Sequence, residues 1–216
     1  MLPIKPPSMQ SGEYSVLEEI LNAVSHAIGF VLAIVGSIAL IVKAEGLSDL
    51  VVTSIYGASL AFMFLSSSIY HALKHPKYKS YLRKIDHTAI YLLIAGSYTP
   101  FLVYTVDGTL GTVGLIVIWI VGLTGVGFKL IAGPKYPKIS ITTYAIMGWL
   151  ALFLIYPIYQ SLSGVGFTLL LTGGICYSAG IPLYLMKSRH YSHALWHLAV
   201  LAGASCHFFA IYYHVI

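Results

Sequence analysis

The sequence TLGTVGLIVIWIVGLTGVGFKL, residues 109–130, decides the fold of this protein. Lys129 is its only charged residue, and the stretch is long enough to cross a bilayer as an α-helix, which takes about 20 mostly apolar residues. Six similar stretches occupy most of the rest of the 216-residue chain. The sequence therefore predicts an all-α protein, a bundle of seven transmembrane helices. The predicted spans are approximately 17–42, 50–73, 84–105, 109–130, 139–160, 164–186 and 191–215.

The composition excludes a soluble protein and leaves room for only one domain. Hydrophobic residues make up 58% of the chain and charged residues only 9%, whereas a soluble domain carries about 25% charged residues. The loops are short, so residues 1–216 are predicted to form one membrane domain, with residues 1–16 as its N-terminal tail. Cys176 and Cys206 fall within hydrophobic stretches, where a thiol is typically buried as a small apolar side chain. The function is therefore expected to lie inside the bundle.

The basic residues predict how the chain crosses the membrane, because cytoplasmic loops are enriched in Lys and Arg. Eleven of the twelve basic residues fall in the N-terminal tail, which contains Lys5, and in the second, fourth and sixth loops. Only Lys43 falls on the opposite face. We therefore expect a multi-pass protein of the inner (plasma) membrane, with a cytoplasmic N-terminus and an outside C-terminus. The net charge of +5 then reflects topology and attraction to anionic lipid, and no nucleic-acid partner is predicted.

Four ionisable residues that lie far apart in the sequence are predicted to reach the same depth, near the cytoplasmic interface. His71 ends the second span, Asp86 begins the third, and His193 and His197 begin the seventh. Four-residue spacing places the imidazoles of His193 and His197 on one helical face. Three neutral imidazoles can bind zinc and leave an open fourth position, as in catalytic sites. Ionisable groups are costly inside a membrane, so this layer is the candidate functional site.

The same residues have other interpretations that the sequence leaves open. A His-x-x-x-His pair near a membrane interface is also typical of hydrogen-bonding or headgroup-facing histidines. Asp86 could instead cap the N-terminus of the third helix, with Arg83 or Lys84 as its ion partner.

Two further histidines lie close to the predicted layer. His26 lies about 13 Å along the first helix if that helix begins near Leu17, which brings it toward His197. A packing or hydrogen-bonding role is favoured for it over that of a fourth metal ligand. His87 follows Asp86 and points about 100° away from it on a helix, so it is expected to lie outside the site.

Three prolines fall inside the predicted spans, at Pro100, Pro157 and Pro182. Proline lacks an N–H group and clashes with the carbonyl group four residues earlier, so each is expected to kink or end its helix. Such breaks could open a lateral path between helices.

Four ordered motifs carry a resemblance to a known family. They are EEILNAVSHAIG at 18–29, SSIYH at 67–71, DHTAIYLLIAGSYTP at 86–100 and HALWH at 193–197. With these motifs, nearly the whole chain resembles the hemolysin III proteins, bacterial relatives of the progestin and adipoQ receptors. The resemblance implies a zinc ion bound by the residues at positions 71, 193 and 197. It also implies that Asp86 contacts the water held by that zinc, and that Ser67 belongs to the same polar group.

The resemblance extends to the alkaline ceramidases, which share the Ser, Asp and three-His pattern and cleave lipid amides. It implies zinc-dependent hydrolysis of a lipid amide or ester, with Asp86 and Ser67 as catalytic residues and a ceramide-like membrane lipid as substrate. Two other functions stay open. One is a receptor or membrane-state sensor with structural zinc, and the other is the membrane-permeabilising pore that the name hemolysin implies. The oligomeric state is not predicted.

Overall fold

The structure is a computed structural model that describes residues 2–4, 14–132 and 135–216. Its described elements are helical, apart from an isolated β-bridge between Ile4 and Arg189. The all-α class predicted from the sequence is confirmed. Lys5 and most of the predicted N-terminal tail lie outside the described residues. The helices are α1 (Val16–Lys43), α2 (Leu47–Ala72), α3 (Pro76–Tyr104), α4 (Gly108–Ile131), α5 (Pro137–Trp149), a 3₁₀-helix (Leu150–Leu154), α6 (Ile155–Ser161), α7 (Gly164–Leu185) and α8 (Ser192–His214).

Six helical segments in the described part of the chain are long and apolar enough to cross a membrane. Large apolar side chains cover their outer surfaces; Val42 is 80% exposed and Phe153 is 86% exposed. In water such a surface would be unstable, whereas in a bilayer it faces hydrocarbon. The six segments are Val16–Lys43, Leu47–Ala72, Gly108–Ile131, Lys138–Ser161, Gly164–Leu185 and Ser192–His214.

Helix α3 differs from these six because it is more polar and more deeply buried. It packs against α2 and α4 and also contacts α5 and α8. Thr88, Ser97 and Thr99 are buried along it. The hydroxyl groups of Thr88 and Thr99 donate to carbonyl groups of their own helix, those of Ile85 and Ala95. A helix that neighbours surround does not need an apolar surface, provided that its polar groups are hydrogen-bonded.

The fifth helical segment is interrupted. Between α5 and α6 the backbone tightens into the 3₁₀-helix, which contains Phe153, the residue four positions before Pro157. The ring of Pro157 clashes with the Phe153 carbonyl group, and proline has no N–H to donate to that carbonyl, which explains the break. The Tyr98 hydroxyl on α3 donates to the Met147 carbonyl (2.8 Å) and accepts from the Ala151 N–H (2.7 Å). A side chain of α3 thus binds backbone groups of both α5 and the 3₁₀-helix.

Candidate metal centre

The structure brings together three histidines from two helices. His71 lies in the last turn of α2, and His193 and His197 lie in the first two turns of α8. All three are buried, and one ligand nitrogen from each lies within 4.8 Å of the other two. The Nε2 atoms of His71 and His193 are 3.2 Å apart. We call these three residues the histidine cluster.

Hydrogen bonds from α1 orient two of the three imidazole rings. His71 Nδ1 lies 2.5 Å from Glu19 Oε2, and Lys79 Nζ donates to Glu19 Oε1 at 2.9 Å. His197 Nδ1 lies 3.1 Å from the carbonyl oxygen of Asn22. Because an ionised carboxylate and a carbonyl group only accept hydrogen bonds, each Nδ1 carries the proton. The Nε2 atoms of His71 and His197 therefore carry lone pairs; that of His71 can accept a hydrogen bond from His193 Nε2.

These lone pairs make the cluster a suitable site for a metal ion. His197 Nε2 is buried and has no hydrogen-bond partner among the described residues. Buried nitrogen lone pairs that converge in a small space are unfavourable unless a cation or a donor lies between them. Histidine ligands of metals typically donate their other N–H to a carboxylate or a backbone carbonyl, as His71 and His197 do. The residues present thus fit a transition-metal ion.

Asp86 is close to the cluster but does not belong to it. Its buried carboxylate interacts electrostatically with His71 and with the ammonium group of Lys129 on α4. It is not one of the residues whose ligand atoms converge. The interpretation of Asp86 as a helix cap is wrong, because α3 begins at Pro76 with His75 at its N-cap position. Asp86 therefore sits within a helix beside the histidine cluster, where its carboxylate can accept a proton or a hydrogen bond.

Ser67 lies on α2, one turn before His71. Its hydroxyl is fully buried near the Asp86 carboxylate. It makes no hydrogen bond of ordinary geometry within the part of the chain that the structure describes. The Asp86 carboxylate is close enough to accept a hydrogen bond from this hydroxyl, which can otherwise bind a water molecule or a ligand.

His26 packs against the cluster rather than joining it. Its ring stacks on that of His197, with centroids 3.5 Å apart and an interplanar angle of 11°. Both of its nitrogens, and both side-chain polar atoms of Asn22 one turn earlier, are buried without hydrogen-bond partners in the described ranges. The histidine cluster therefore has a further set of unsatisfied polar atoms behind it on α1, which water molecules can satisfy.

Sequence reasoning left the role of Glu19 open. Glu18 and Glu19 are adjacent, acidic and in the first turn of α1, where each is either a solvated residue suited to the positive helix terminus or a residue that supports the site. Yet Glu19 binds His71, whereas Glu18 forms a capping box with Ser15 and accepts from the backbone N–H of Tyr191 at 3.0 Å. Tyr191 has a left-handed backbone (φ 61°) just before α8. Glu18 thus positions the start of α8, and Glu19 positions a ring on α2.

Tyr14 covers the cluster from the N-terminal side. Its ring centroid lies 4.8 Å from that of His193 and 6.0 Å from that of His71. Burial raises the pKa of its phenol, and the nearby phenols of Tyr70 and Tyr184 add to this effect. The hydroxyl therefore stays protonated at neutral pH, so that a neutral hydrogen-bond donor lies at the edge of the cluster.

An elongated cavity leads away from the cluster. It has a volume of about 200 Å³ and lies between α3, the α5–α6 segment, α7 and α8. Since Asp86 and Phe101 both line it, it extends about 22 Å along α3 at 1.5 Å of rise per residue. Its walls are chiefly apolar and aromatic, and His26 and Asp86 lie at one end. This shape and chemistry suit a hydrocarbon chain with a polar group beside the histidines.

The fold and the cluster together define the class: a multi-pass membrane protein with a buried three-histidine group that can hold a metal ion. The chain belongs to the haemolysin-III related family, whose model matches residues 14–208. The family resemblance inferred from the four sequence motifs is thereby confirmed.

Individual relatives agree with this assignment. The chain is 41% identical over 206 residues to the hemolysin-3 homolog of Bacillus subtilis (strain 168), covering 94% of this chain and 97% of the relative. It is 43% identical over 204 residues to hemolysin-3 of Bacillus cereus, covering 93% of both. The human monocyte to macrophage differentiation factor, a distant relative in the progestin and adipoQ receptor family, is 28% identical over 203 residues, or 90% of this chain and 83% of the relative.

Proposed function

We propose that the protein is a zinc-dependent membrane hydrolase that cleaves a lipid amide or ester. The observation that carries this proposal is that a long apolar cavity ends at Asp86 and at His26, whose ring stacks on that of His197 in the histidine cluster. A hydrocarbon chain in that cavity would bring its polar end to the histidines. A ceramide-like lipid of the surrounding membrane has the required form, an acyl chain that ends in an amide.

The proposed topology has seven spans within a single domain, residues 1–216, in the inner (plasma) membrane. Helix α3 would be the seventh span, since its 29 residues give about 43 Å of helix, more than the hydrocarbon core requires. The bias of basic residues favours a cytoplasmic N-terminus and an outside C-terminus. The histidine cluster would then lie near the cytoplasmic interface, at the depth of the amide and ester groups of the inner leaflet.

His71, His193 and His197 would hold the zinc ion through their Nε2 atoms. When bound, zinc in such a site supplies Lewis-acid chemistry, which acidifies water to a pKa of about 7 and polarises a carbonyl group. Glu19 and the Asn22 carbonyl keep the Nδ1 protons of His71 and His197 in place, so the Nε2 lone pairs stay available. This tautomer control is the contribution of α1 to the site.

Asp86 would transfer the proton, and Ser67 would stabilise the negative charge that develops on the substrate. The Asp86 carboxylate accepts a proton from the attacking water and returns it to the leaving nitrogen or oxygen. The Ser67 hydroxyl donates to the oxyanion that develops on the carbonyl group.

Substrate would enter from the bilayer through the broken helix. Trp149 and Leu152 line the cavity and are also exposed on the surface, 38% and 51% respectively. The wall at this point is therefore one side chain thick. The Trp149 indole donates to the Ser178 hydroxyl on α7 at 3.0 Å, so one hydrogen bond links the two sides of the proposed opening.

The experiment is release of fatty acid from a panel of lipid amides and esters by zinc-loaded protein in liposomes. Wild-type protein is expected to hydrolyse at least one lipid class, and Asp86→Asn to lower turnover by about 10² to 10⁴ because the general base is lost. Ser67→Ala is expected to lower turnover by about 10². The matched controls are Asp107→Asn, at an exposed N-cap position without a side-chain cap bond, and Ser66→Ala, whose hydroxyl binds its own helix. Equal turnover in wild type and Asp86→Asn would refute the mechanism.

A receptor or membrane-state sensor with structural zinc is the second candidate. It is favoured by the way the cluster joins α2 to α8 while Glu19 and Asn22 bind it to α1. Bound zinc would then stabilise the packing of α1, α2 and α8 against one another. Zinc-dependent thermal stability without turnover of any lipid would support this function over hydrolysis.

Pore formation rests on the name hemolysin-3 carried by the Bacillus cereus relative. The chiefly apolar lining of the cavity does not favour an aqueous channel. The test is dye release from liposomes by wild-type protein and Asp86→Asn at the same protein-to-lipid ratio. Equal release by both proteins would support permeabilisation that does not depend on the site.

A further inference from the structure

A second group of buried polar atoms lies at the end of the cavity farther from the histidine cluster. Tyr177 on α7 and His207 on α8 line the cavity there, with ring centroids 5.4 Å apart in an edge-to-face arrangement. The Tyr177 hydroxyl and His207 Nδ1 are both buried, and neither has a hydrogen-bond partner among the residues that the structure describes. His207 lies about 15 Å farther along α8 than His197. This group is therefore separate from the histidine cluster.

Tyr56 on α2 adds a third polar atom to this group. Its hydroxyl is fully buried, interacts electrostatically with Tyr177 and has no hydrogen-bond partner in the described ranges. Buried polar groups in native proteins are nearly always satisfied by protein, water or ligand. Two of these atoms lie at one end of the cavity and the third interacts with Tyr177, so the three need a common explanation.

The surrounding helices fix the orientation of the His207 ring. A Cβ atom at Gly173 would collide with the ring, so only glycine at that position leaves room for it between α7 and α8. His207 Nε2 lies 3.2 Å from the Leu170 carbonyl oxygen. A carbonyl group only accepts, so Nε2 carries the proton and Nδ1 is a hydrogen-bond acceptor.

This acceptor selects the kind of group that can bind. A partner for His207 Nδ1 must donate a hydrogen bond, whereas the Tyr177 hydroxyl can either donate or accept. A hydroxyl group can donate to the first and accept from the second. A ketone, an ether or an ionised carboxylate has no proton to donate and would leave Nδ1 unsatisfied.

We propose that Tyr177 and His207 form a subsite for a hydroxyl group at the far end of a lipid chain, and that the preferred ligand is a hydroxylated acyl lipid. The inference rests on the proposed function only in placing the chain in the cavity. The apolar walls between the two polar ends then contact the hydrocarbon, and Asp86 and the histidine cluster lie at the acyl carbonyl end.

The test compares two ligands that differ only in the far hydroxyl. Dodecanoic acid and ω-hydroxydodecanoic acid displace a fluorescent fatty acid from the full-length protein in detergent. Wild-type protein is expected to bind the hydroxylated acid about tenfold more tightly, since its hydroxyl satisfies buried groups that the methyl end leaves unpaired. Tyr177→Phe and His207→Leu are each expected to cut this preference below about threefold. Tyr213→Phe, on the exposed face of α8, keeps the full preference.

Three results would overturn the subsite. The first is equal binding of the two acids by wild-type protein, which means that water alone occupies this end of the cavity. The second is a preference for the hydroxylated acid that survives in both variants, and the third is no saturable binding of either acid. The comparison is repeated in Asp86→Asn. A hydroxyl preference that persists there, in protein without turnover, supports the subsite even where the hydrolase proposal fails.

Discussion

The histidine end of the bundle and the α5–α6 side of the cavity are built in opposite ways. At the histidine end, regular helices hold the rings, and α1 fixes them through Glu19 and the Asn22 carbonyl. On the α5–α6 side, the helix breaks into a 3₁₀ turn, and Leu152 lines the cavity while half exposed on the outer surface.

This difference matches what the proposed function requires of each region. Groups that hold a metal ion need fixed positions, which regular helices with buried hydrogen bonds provide. A wall through which a lipid enters needs a low cost of local opening, and a broken helix with exposed side chains provides it. Each of the following changes is expected to affect one region and spare the other.

The largest effect is expected from Glu19→Gln, which removes the charge that faces His71 Nδ1. Loss of such a carboxylate partner typically weakens metal binding by about 10-fold to 100-fold. Zinc affinity is measured by competition with a chelator, and fatty-acid binding is expected to stay unchanged. Glu45→Gln, on the exposed loop between α1 and α2, is the control. Wild-type zinc affinity in Glu19→Gln would mean that α1 does not tune the cluster.

A smaller effect, on fatty-acid binding instead of zinc binding, is expected from Ala145→Phe on α5. Ala145 lines the cavity, so a phenyl ring there takes space from the acyl chain and is expected to weaken fatty-acid binding about tenfold, since overpacking costs about 1–3 kcal/mol. Zinc content is expected to stay unchanged. Ile146→Phe, at a neighbouring position that is 58% exposed, is the control. Reduced zinc content in Ala145→Phe would show that the two regions are not independent.

The smallest effect is expected from Pro157→Ala, which restores a backbone N–H four residues after Phe153. One added helical hydrogen bond of about 1 kcal/mol corresponds to about fivefold slower hydrogen exchange in residues 150–156. Hydrogen-exchange mass spectrometry in liposomes measures it. Pro182→Ala in α7, which stays helical around its proline, is expected to leave exchange in 150–156 unchanged. If Pro157→Ala also leaves it unchanged, the proline does not cause the break.

Sequence patterns captured the depth of residues but not their rotation about the helix axes. Helix rise along predicted spans was enough to bring His71, His193 and His197 into one layer, and the structure brings these residues together. The contact between Glu19 and His71 joins residues 52 positions apart and depends on the angle at which α1 faces α2. Adjacent Glu18 and Glu19 look equivalent in the sequence, yet they bind different helices.

Local rules predicted other features only in part. Each proline of the spans is expected to kink or end its helix; Pro157 follows a 3₁₀ break, whereas the helices that contain Pro100 and Pro182 continue past these residues. The polar surface of α3 also has no local explanation, because it depends on the neighbouring helices that bury Thr88 and Thr99. Interactions between helices decide these outcomes, and a single sequence does not specify them.

The most direct test of the metal centre is elemental mass spectrometry of the purified protein. Wild-type protein and the control His75→Ala, at an N-cap position without a side-chain cap bond, are predicted to contain about one zinc ion per chain. The double variant His193→Ala, His197→Ala is predicted to contain none. Wild-type protein that contains no zinc and cannot be reconstituted with it would contradict the account.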